Sequence, residues 1–391
     1  MANSTASSSR STPKLAILDD YHNIAASHFS HVDPSKISIT SFPQTLPSYS
    51  HPATKPADRD ALVARLEQFT VLSTMRERTP FPGALLRRLP NLKLILATGT
   101  QFETFDLAAA KELGIIVCAA PGKGRTDGKG TAHGRPKLDI KKGGGHPTTQ
   151  HAWALILGLS RNVAVDDAAV KGKSKAGAAG WQTQLALGLQ GRTLGVVGMG
   201  RLGAGVARVG VLAWGMRVVC WSENLTQEKA DSMAVEMGLP VTGGGVAREG
   251  EPTFKAVGKE ELFRTADVVS LHYVLSERSR GLVGRRELGV MKPSALLINT
   301  SRGPLIDEAA LLETLRRGAI GGAALDVFDI EPLPADSPWR TEDWEAEGKS
   351  RVLLTPHMGY VEEGVLNTWY EETAENLERW VDGREVLHRL N

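Results

Sequence analysis

The stretch TLGVVGMGRLGAGVARVG, residues 193–210, constrains the fold of this chain more than any other. It places Gly198, Gly200 and Gly203 in the spacing G-x-G-x-x-G, directly after an apolar run that is typical of a strand. An apolar-periodic segment at 202–214 predicts a helix after the turn. In such a unit the first glycine permits the tight turn, the second lets the backbone approach a pyrophosphate, and the third lets helix and strand pack closely. The sequence therefore predicts a dinucleotide-binding βαβ unit, with a merely tight turn as the alternative.

Apolar runs that predict strands alternate with helical patterns along most of the chain. Strands are predicted at 15–18, 37–40, 71–74, 92–97, 115–118, 193–197, 217–221, 267–271, 295–299, 322–328 and 351–355. Helices are predicted at 58–66, 105–112, 151–161, 202–214 and 365–381. This alternation indicates an α/β protein with parallel sheets covered on both faces. The polar stretches 241–256 and 338–349 are predicted to be surface loops.

Residues 121–146, PGKGRTDGKGTAHGRPKLDIKKGGGH, interrupt this alternation. They contain eight glycines, and seven Lys or Arg against two Asp. So much glycine predicts an exposed flexible loop. The positive charge alone would attract phosphate, but the segment has no aromatic side chains on which bases could stack. We therefore predict no nucleic-acid partner.

Composition excludes several other classes of protein. The 41% hydrophobic and 23% charged residues are typical of a globular domain, and no apolar run approaches the roughly 20 residues that span a bilayer. The two cysteines, Cys118 and Cys220, form no disulfide framework or thiolate metal site, which favours a cytoplasmic location. The Ser- and Thr-rich start is predicted to be a disordered tail, with a mitochondrial transit peptide as the alternative.

The stretch VVCWSEN, residues 218–224, bears on the choice of nicotinamide cofactor. A carboxylate is expected about 20 residues beyond the glycines, where it binds the ribose 2′-hydroxyl of NAD. Ser222 stands at the predicted strand end and Glu223 follows it. Ser222 can bind either a ribose hydroxyl or a 2′-phosphate, whereas Glu223 would repel a phosphate. NAD is favoured, and NADP remains the alternative.

Three ionisable residues follow three consecutive predicted strands, where ligands bind in open α/β sheets. They are Arg302 after ALLIN, Glu331 after GAALDVF and His357 after RVLLT. Together they suit reduction of a 2-keto acid. Arg302 would bind the substrate carboxylate, His357 would exchange a proton with the carbonyl oxygen, and Glu331 would hold the imidazole. Taken singly, each residue has an ordinary structural interpretation.

The stretches LGVVGMGRLG, LLINTSRGPLIDEAAL, GAALDVFDIEPLP and LLTPHMGY resemble the D-isomer-specific 2-hydroxyacid dehydrogenase family in sequence and in order. The resemblance implies two doubly wound parallel-sheet domains, with a Rossmann nucleotide-binding domain inserted into a flavodoxin-like substrate domain. The substrate domain would comprise 14–120 and 357–391, the hinge loop 121–147, and the nucleotide domain 148–356. A homodimer formed through the nucleotide domains is also implied.

The resemblance gives Arg302, Glu331 and His357 the catalytic roles described above. It also implies further contacts with ligands. The cofactor contacts would be made by Gly198, Gly200, Arg201, Leu202, Gly203, Ser222, Glu223, Thr300, Asp326 and Gly359. Thr300, Asp326 and Gly359 would lie at the nicotinamide. The substrate contacts would be made by Arg76, Gly99 and Thr100, the latter two through backbone N–H groups. No metal ligand is implied.

The chain also departs from the family pattern. Ser222 stands where members that bind NAD usually carry Asp, and TGTQFETFD, residues 98–106, replaces a commoner substrate loop. Glu331 stands where the formate-oxidising branch carries Gln, which argues against formate. Glyoxylate, hydroxypyruvate, pyruvate and bulkier acids remain open as substrates. A nucleotide-sensing corepressor with little turnover, and an enzyme that oxidises a phosphorus oxyacid, are the alternative functions.

Overall fold

The structure, a computed structural model, describes residues 12–99, 102–130, 145–173 and 181–391. The chain divides into two compact units, one formed by Met1–Arg135 with Glu363–Asn391 and the other by Pro136–Glu362. Both crossings differ from the expected boundaries, since the start of the predicted hinge loop belongs to the first unit and residues 357–362 belong to the second. Most of the predicted N-terminal tail, and residues 131–144 of the basic segment, lie outside the described residues.

The first unit is built on a parallel sheet in the strand order β2-β1-β3-β4-β5, which is the flavodoxin-like order. Its strands are β1 Lys14–Leu18, β2 Ser38–Phe42, β3 Val71–Thr74, β4 Leu94–Thr98 and β5 Ile116–Ala120. The helices between them are α1 Ala25–His28, α2 Pro56–Leu66, α3 Gly83–Leu86 and α4 Leu107–Glu112. Every residue of β3 and β4 is buried, because both faces of a parallel sheet are covered. The predicted strands and longer helices are confirmed, whereas α1 and α3 are too short to show a helical period.

The second unit contains a parallel sheet in the order β12-β11-β10-β9-β6-β7-β8. Its strands are β6 Thr193–Val197, β7 Arg217–Trp221, β8 Phe254–Ala256, β9 Val268–Leu271, β10 Leu296–Asn299, β11 Gly322–Leu325 and β12 Arg351–Leu354. Its helices are α5 Pro147–Ser160, α6 Val163–Val170, α7 Arg201–Trp214, α8 Gln227–Glu236, α9 Lys259–Thr265, α10 Arg285–Val290, α11 Glu308–Arg316 and α12 Pro338–Thr341. The order reverses beside β6, as in a Rossmann fold. The predicted fold class is confirmed.

Three predictions for this unit were wrong in detail. The stretch 241–256 is not entirely a loop, because β8 extends the sheet edge there and buries Phe254 completely. A strand of three residues is too short to show an alternating pattern. The strand predicted at 322–328 ends at Leu325, since the next residue turns out of the sheet. α12 likewise lies within the stretch 338–349, which was predicted as a loop.

Neighbouring residues of one strand point to opposite faces of the second sheet. Val196 packs into the core beneath α5 and α7, whereas Val197 packs into the core on the other side with α9 and α11. This alternation explains why these strands are apolar along their whole length. Within the described segments, no helix is both long and apolar enough to cross a membrane.

The last helix, α13 Glu363–Val381, returns to the first unit and holds the start of the basic segment. The carboxylate of Glu372 accepts the N–H groups of Gly122, Lys123 and Gly124, and Glu375 accepts from both the N–H and the hydroxyl of Thr126. The described part of this segment therefore differs from the predicted free loop. Because glycine has no side chain, the backbone N–H groups of this segment are accessible to acidic side chains, which bind them in place of solvent.

Arg125 anchors the same segment. Its side chain is 2% exposed and donates to both oxygens of Glu378 at 3.0 Å and to Asp127. The hydrogen bonds from Arg125 lower the pKa of Asp127 well below its usual value. Burial alone would raise the pKa of Glu378, but the bond and charge of Arg125 lower it overall.

Replacing Arg125 by Met is expected to destabilise the first unit by about 3 kcal/mol, because two partly buried carboxylates lose their guanidinium. The measurement is calorimetric unfolding of the whole chain at neutral pH. Arg384→Met is the matched control, since the pair of Arg384 with Asp382 is 50% and 41% exposed. The control is expected to cost less than about 0.5 kcal/mol. Equal losses in both variants would contradict the anchoring role of Arg125.

Candidate functional site

The three glycines of the turn after β6 have three different surroundings. Gly198 has a φ of 97°, and a Cβ there would lie 2.5 Å from the carbonyl oxygen of His272. A Cβ on Gly203 would lie 2.1 Å from the carbonyl oxygen of Gly198, whereas one on Gly200 would meet no atom within 4 Å. The first and third glycines are thus required by packing. The second faces open space, as a turn that admits a ligand requires.

The start of α7 fits a bound anion. Gly200 is its N-cap residue, and no side chain caps the helix there. The first N–H groups of a helix lack partners within the helix and favour negative charge through the helix dipole. Arg201 and Leu202 form the first turn, with Arg201 exposed and Leu202 half-buried. Their contact with a pyrophosphate stays a prediction.

A cavity of about 640 Å³ lies beside this turn, bounded by the ends of β7 and β9. Ser222, Glu223 and Tyr273 line it, and the rings of Trp221 and Tyr273 stack at 5.8 Å. The hydroxyl of Ser222 accepts the N–H of Met199 at 3.0 Å, so this side chain also fixes the phosphate turn. An adenosine moiety would fit a cavity of this size with one aromatic wall.

The charge of this cavity disfavours an additional phosphate. It contains the carboxylates of Glu223 and Glu236, while the ammonium of Lys229 donates to the carbonyl of Asn224 at 2.8 Å. Burial lowers the pKa of His272 to about 4, so this side chain is neutral at physiological pH. Glu223, Glu236 and Lys229 together leave a net negative charge here.

The ends of three adjacent strands gather the predicted catalytic residues. Asn299, Leu325 and Leu354 are paired in one row across β10, β11 and β12, and each is the last residue of its strand. The loops that carry Arg302, Glu331 and His357 therefore begin level with one another at the carboxyl edge of the sheet.

His357 and Glu331 are in direct contact. Nδ1 of His357 lies 2.6 Å from Oε2 of Glu331, and Oε1 of Glu331 accepts the N–H of Phe328 at 2.9 Å. The ring of Tyr360 meets the His357 ring edge-on at 5.5 Å. Because a carboxylate can only accept, its contact with Nδ1 places the proton of the imidazole on that nitrogen.

Arg302 is connected to this pair through the backbone. A Cβ on Gly303 would lie 2.0 Å from the carbonyl carbon of Phe328, so only glycine lets the two loops touch. The guanidinium of Arg302 donates to the carbonyl of Ser301 at 2.7 Å, and the Arg302 carbonyl accepts from Asn299 at 2.9 Å. The arginine therefore belongs to a loop whose position is fixed against that of Glu331.

The remaining residues predicted at the nicotinamide differ in their surroundings. The hydroxyl of Thr300 is buried and has no hydrogen-bond partner among the described residues, which fits a group that awaits a ligand. Asp326 is completely buried, and its carboxylate is bonded to protein groups on both oxygens. A Cβ on Gly359 would lie 3.2 Å from Oδ2 of Asp326, so packing also accounts for this glycine.

Two predicted substrate contacts lie in the first unit. Arg76, after β3, has a φ of 52°, bonds to Glu77 at 3.2 Å and lies 5.8 Å from the ring centre of Trp369. The N–H of Gly99 donates to the carbonyl of Ala120 at 2.9 Å. This differs from the prediction that Gly99 offers its N–H to a substrate, because sheet-like pairing already uses that group. Thr100 lies outside the described residues.

Sequence reasoning did not identify His151 and Thr355, whose side chains bond to Asp326 at 3.0 and 2.6 Å. His151 lies on α5, far from the other residues in sequence, and no motif marks it. Thr355 is the first residue of the TPH stretch that was used to assign His357, but a single threonine carries no comparable signal.

A phosphate turn and a histidine–carboxylate pair on one Rossmann sheet define a nicotinamide-dependent dehydrogenase. Residues 153–359 match the family model described as D-isomer specific 2-hydroxyacid dehydrogenase, NAD binding domain. The chain is 31% identical over 310 residues to a glyoxylate reductase of Aeropyrum pernix, with 78% of each protein covered. A glyoxylate reductase of Thermococcus litoralis is 30% identical over 302 residues, which cover 76% of this chain and 77% of that protein.

Among solved structures, a phosphoglycerate oxidoreductase of Vibrio cholerae O395 has a TM-score of 0.71 at 29% sequence identity, covering 95% of this chain and 100% of that one. The chain therefore belongs to the D-isomer-specific 2-hydroxyacid dehydrogenase family. It is an NAD-dependent oxidoreductase that acts on the CH–OH group of a small-molecule hydroxy acid, or on the corresponding keto acid. The predicted family, activity and cofactor are confirmed, and the sensor alternative is not favoured, since the similar proteins are named as enzymes.

Gly200→Ala is expected to weaken NADH binding at least tenfold, about 1.4 kcal/mol, without changing the thermal midpoint. The added methyl group meets open space in the protein but occupies the approach of a pyrophosphate. Gly203→Ala is expected to lower both affinity and the midpoint, because its methyl group meets the Gly198 carbonyl. Nicotinamide fluorescence and calorimetry check both variants. Unchanged affinity in Gly200→Ala would place the cofactor elsewhere.

Proposed function

We propose that the chain reduces a 2-keto acid to the D-2-hydroxy acid with NADH, with Arg302, Glu331 and His357 as the catalytic residues. The observation that carries this proposal is the 2.6 Å contact between His357 and Glu331, at the strand edge that also presents Arg302. When bound, the nicotinamide supplies or accepts the hydride. The protein residues orient the acid and exchange the proton.

His357 is the proton donor in this proposal. With Nδ1 directed at Glu331, Nε2 is the atom that faces the carbonyl oxygen of the keto acid. The carboxylate of Glu331 orients the imidazole ring that donates the proton. The same nitrogen accepts the proton when the hydroxy acid is oxidised. Glu331 is itself oriented by the N–H of Phe328, so the imidazole is attached to a fixed carboxylate.

Arg302 is proposed to bind the substrate carboxylate. Its guanidinium can form two parallel hydrogen bonds with a carboxylate and draw electrons from the adjacent carbonyl. Arg76 and Thr100 are proposed to contact the remainder of the acid. The relatives named glyoxylate reductase support a small 2-keto acid. The relative named D-3-phosphoglycerate dehydrogenase supports a larger, charged acid as the second class of substrate.

The cofactor contacts proposed from the sequence are supported by the cavity at the end of β7. Glu223 and Glu236 oppose a 2′-phosphate, which supports NADH over NADPH. Thr300, whose buried hydroxyl lacks a partner within the described residues, is proposed to bond to the nicotinamide. The two buried free cysteines, Cys118 and Cys220, support a reducing, cytoplasmic location.

The first experiment titrates the purified chain with NADH and NADPH and then supplies glyoxylate, hydroxypyruvate, pyruvate and phenylpyruvate. Wild-type protein is expected to bind NADH more tightly and to oxidise it with at least one acid. His357→Gln is expected to lower kcat by roughly 10²- to 10⁴-fold, because the proton donor is lost. His28→Gln, a histidine of the first unit, is the control and is expected to retain activity. Full turnover by His357→Gln would contradict the assignment.

We propose that the chain forms a homodimer through the second unit. Exposed apolar side chains are carried by α6, the end of α7 and the segment 181–189, and we take them together as the proposed dimer surface. They are Val163, Val170, Trp181, Leu185, Leu212 and Trp214. The segment is attached to α6 by Thr183, whose hydroxyl donates to Asp166 at 2.5 Å. Leu185 is 97% exposed, and large exposed apolar side chains are typical of an interface.

Leu185→Asp is expected to convert the dimer to a monomer, because a carboxylate would be buried at the interface without a partner. Light scattering after size-exclusion chromatography measures the mass of each variant. Val235→Asp is the control, since Val235 is an exposed valine on α8, outside this surface. A wild-type chain that elutes as a monomer at high concentration would refute the proposal.

A further inference from the structure

Asp326 binds three consecutive backbone N–H groups of the turn that carries His357. Its carbonyl oxygen accepts the N–H of His357 at 2.7 Å. Its carboxylate accepts the N–H of Met358 at 2.7 Å through Oδ1 and the N–H of Gly359 at 2.9 Å through Oδ2. One aspartate therefore determines the backbone path of the proposed proton donor.

The conformation of His357 makes this attachment necessary. Its φ is 56°, in the left-handed region that side chains other than glycine seldom adopt. Such a residue costs free energy and persists only when its surroundings determine it by several contacts. The three N–H bonds to Asp326 are contacts of that kind, and they determine the backbone position from which the imidazole ring extends.

His151 and Thr355 complete the binding of the carboxylate. Nε2 of His151 lies 3.0 Å from Oδ1 of Asp326 and 3.1 Å from the hydroxyl of Thr355. That hydroxyl donates to the same Oδ1 at 2.6 Å. With the two backbone N–H groups, the carboxylate has four donors, three at Oδ1 and one at Oδ2. The hydroxyl of Thr148, also on α5, donates to the carbonyl of Gly359 at 2.9 Å.

These donors keep the carboxylate ionised. Burial raises the pKa of Asp326, but the hydrogen bonds from His151, Thr355 and Met358 outweigh burial and lower it overall. An ionised Asp326 can accept at both oxygens, which the turn requires. His151 therefore contributes to the turn although it does not touch His357 in these contacts.

We propose that His151 is a positioning residue that, through Asp326, holds the 355–359 turn and so directs the His357 imidazole onto Glu331. This inference rests on the proposed role of His357 as proton donor. It assigns α5 a part in the reaction: the helix presents Thr148 and His151 to the two ends of the turn. Asp326 then supports the turn that carries His357, in addition to any contact that it makes with the nicotinamide.

The test compares His151→Leu with His151→Gln. The amide nitrogen of Gln reaches nearly the position of Nε2 and can donate to Oδ1, whereas Leu cannot. His151→Leu is expected to lower kcat roughly 10- to 100-fold, as a small displacement of a catalytic group does, while the affinity for NADH is unchanged. His151→Gln is expected to restore kcat to within about threefold of wild type.

Lys292→Leu is the matched control for a purely structural effect. Lys292 also donates to a buried aspartate, Asp267, at 2.9 Å, but Asp267 precedes β9 and so lies at the opposite edge of the sheet. The control is expected to lower the thermal midpoint with kcat unchanged. Retained kcat in His151→Leu, or a fall in kcat that Gln does not restore, would overturn the inference.

A second readout does not depend on turnover. In protein labelled with ¹⁵N-histidine, the Nδ1 proton of His357 should resonate far downfield because of its short bond to Glu331. His357→Gln assigns this signal by removing it. His151→Leu is expected to abolish or shift the signal, and both His151→Gln and Lys292→Leu are expected to keep it. An unchanged signal in His151→Leu would refute the positioning role of His151, whether or not the wild type turns over an acid of the panel. A wild type that turned over no acid of the panel would refute only the proposed function.

Discussion

Register across three parallel strands is the constraint on which the site depends. Asn299, Leu325 and Leu354 end β10, β11 and β12 in one row, so the loops that follow leave the sheet side by side. A parallel sheet obliges every crossover to return to the amino edge, and polar residues placed after successive strands then collect at the opposite edge. The chemistry is therefore carried by loops, while the buried strands determine where those loops begin.

Close packing between loops converts this common edge into a defined geometry. Gly303 lies against the Phe328–Asp329 peptide, and the N–H of Phe328 in turn holds Glu331. The loop of Arg302 and the carboxylate that holds His357 thus both contact the backbone of one residue, Phe328. A side chain at residue 303 would separate them, which gives this glycine a role that differs from the conformational freedom of Gly198.

The sequence was sufficient to predict what local patterns encode. The glycine spacing, the apolar strands and the positions of Arg302, Glu331 and His357 after strand ends led to the fold class and to the histidine–carboxylate contact. The sequence was insufficient where a feature depends on contacts between residues that are distant along the chain. β8 is recognised only by its pairing with β7. His151 matters only because α5 brings it to Asp326, which lies 175 residues away in sequence. The glycine-rich segment was expected to be free, and only the acidic face of α13 explains why residues 122–126 are held.

Both units use a buried acidic residue to hold three consecutive backbone N–H groups, but with different electrostatic outcomes. Glu372 holds residues 122–124, and burial raises its pKa despite these three bonds. Asp326 holds residues 357–359, and its pKa is lowered instead, with hydrogen bonds from the side chains of His151 and Thr355 as the largest opposing causes. Backbone N–H groups alone therefore do not compensate for burial in the first unit, whereas added side-chain donors do so in the second. The turn that presents His357 is held by an acceptor that stays charged because α5 supplies a donor to it, and this links a helix outside the reacting groups to the geometry of proton transfer.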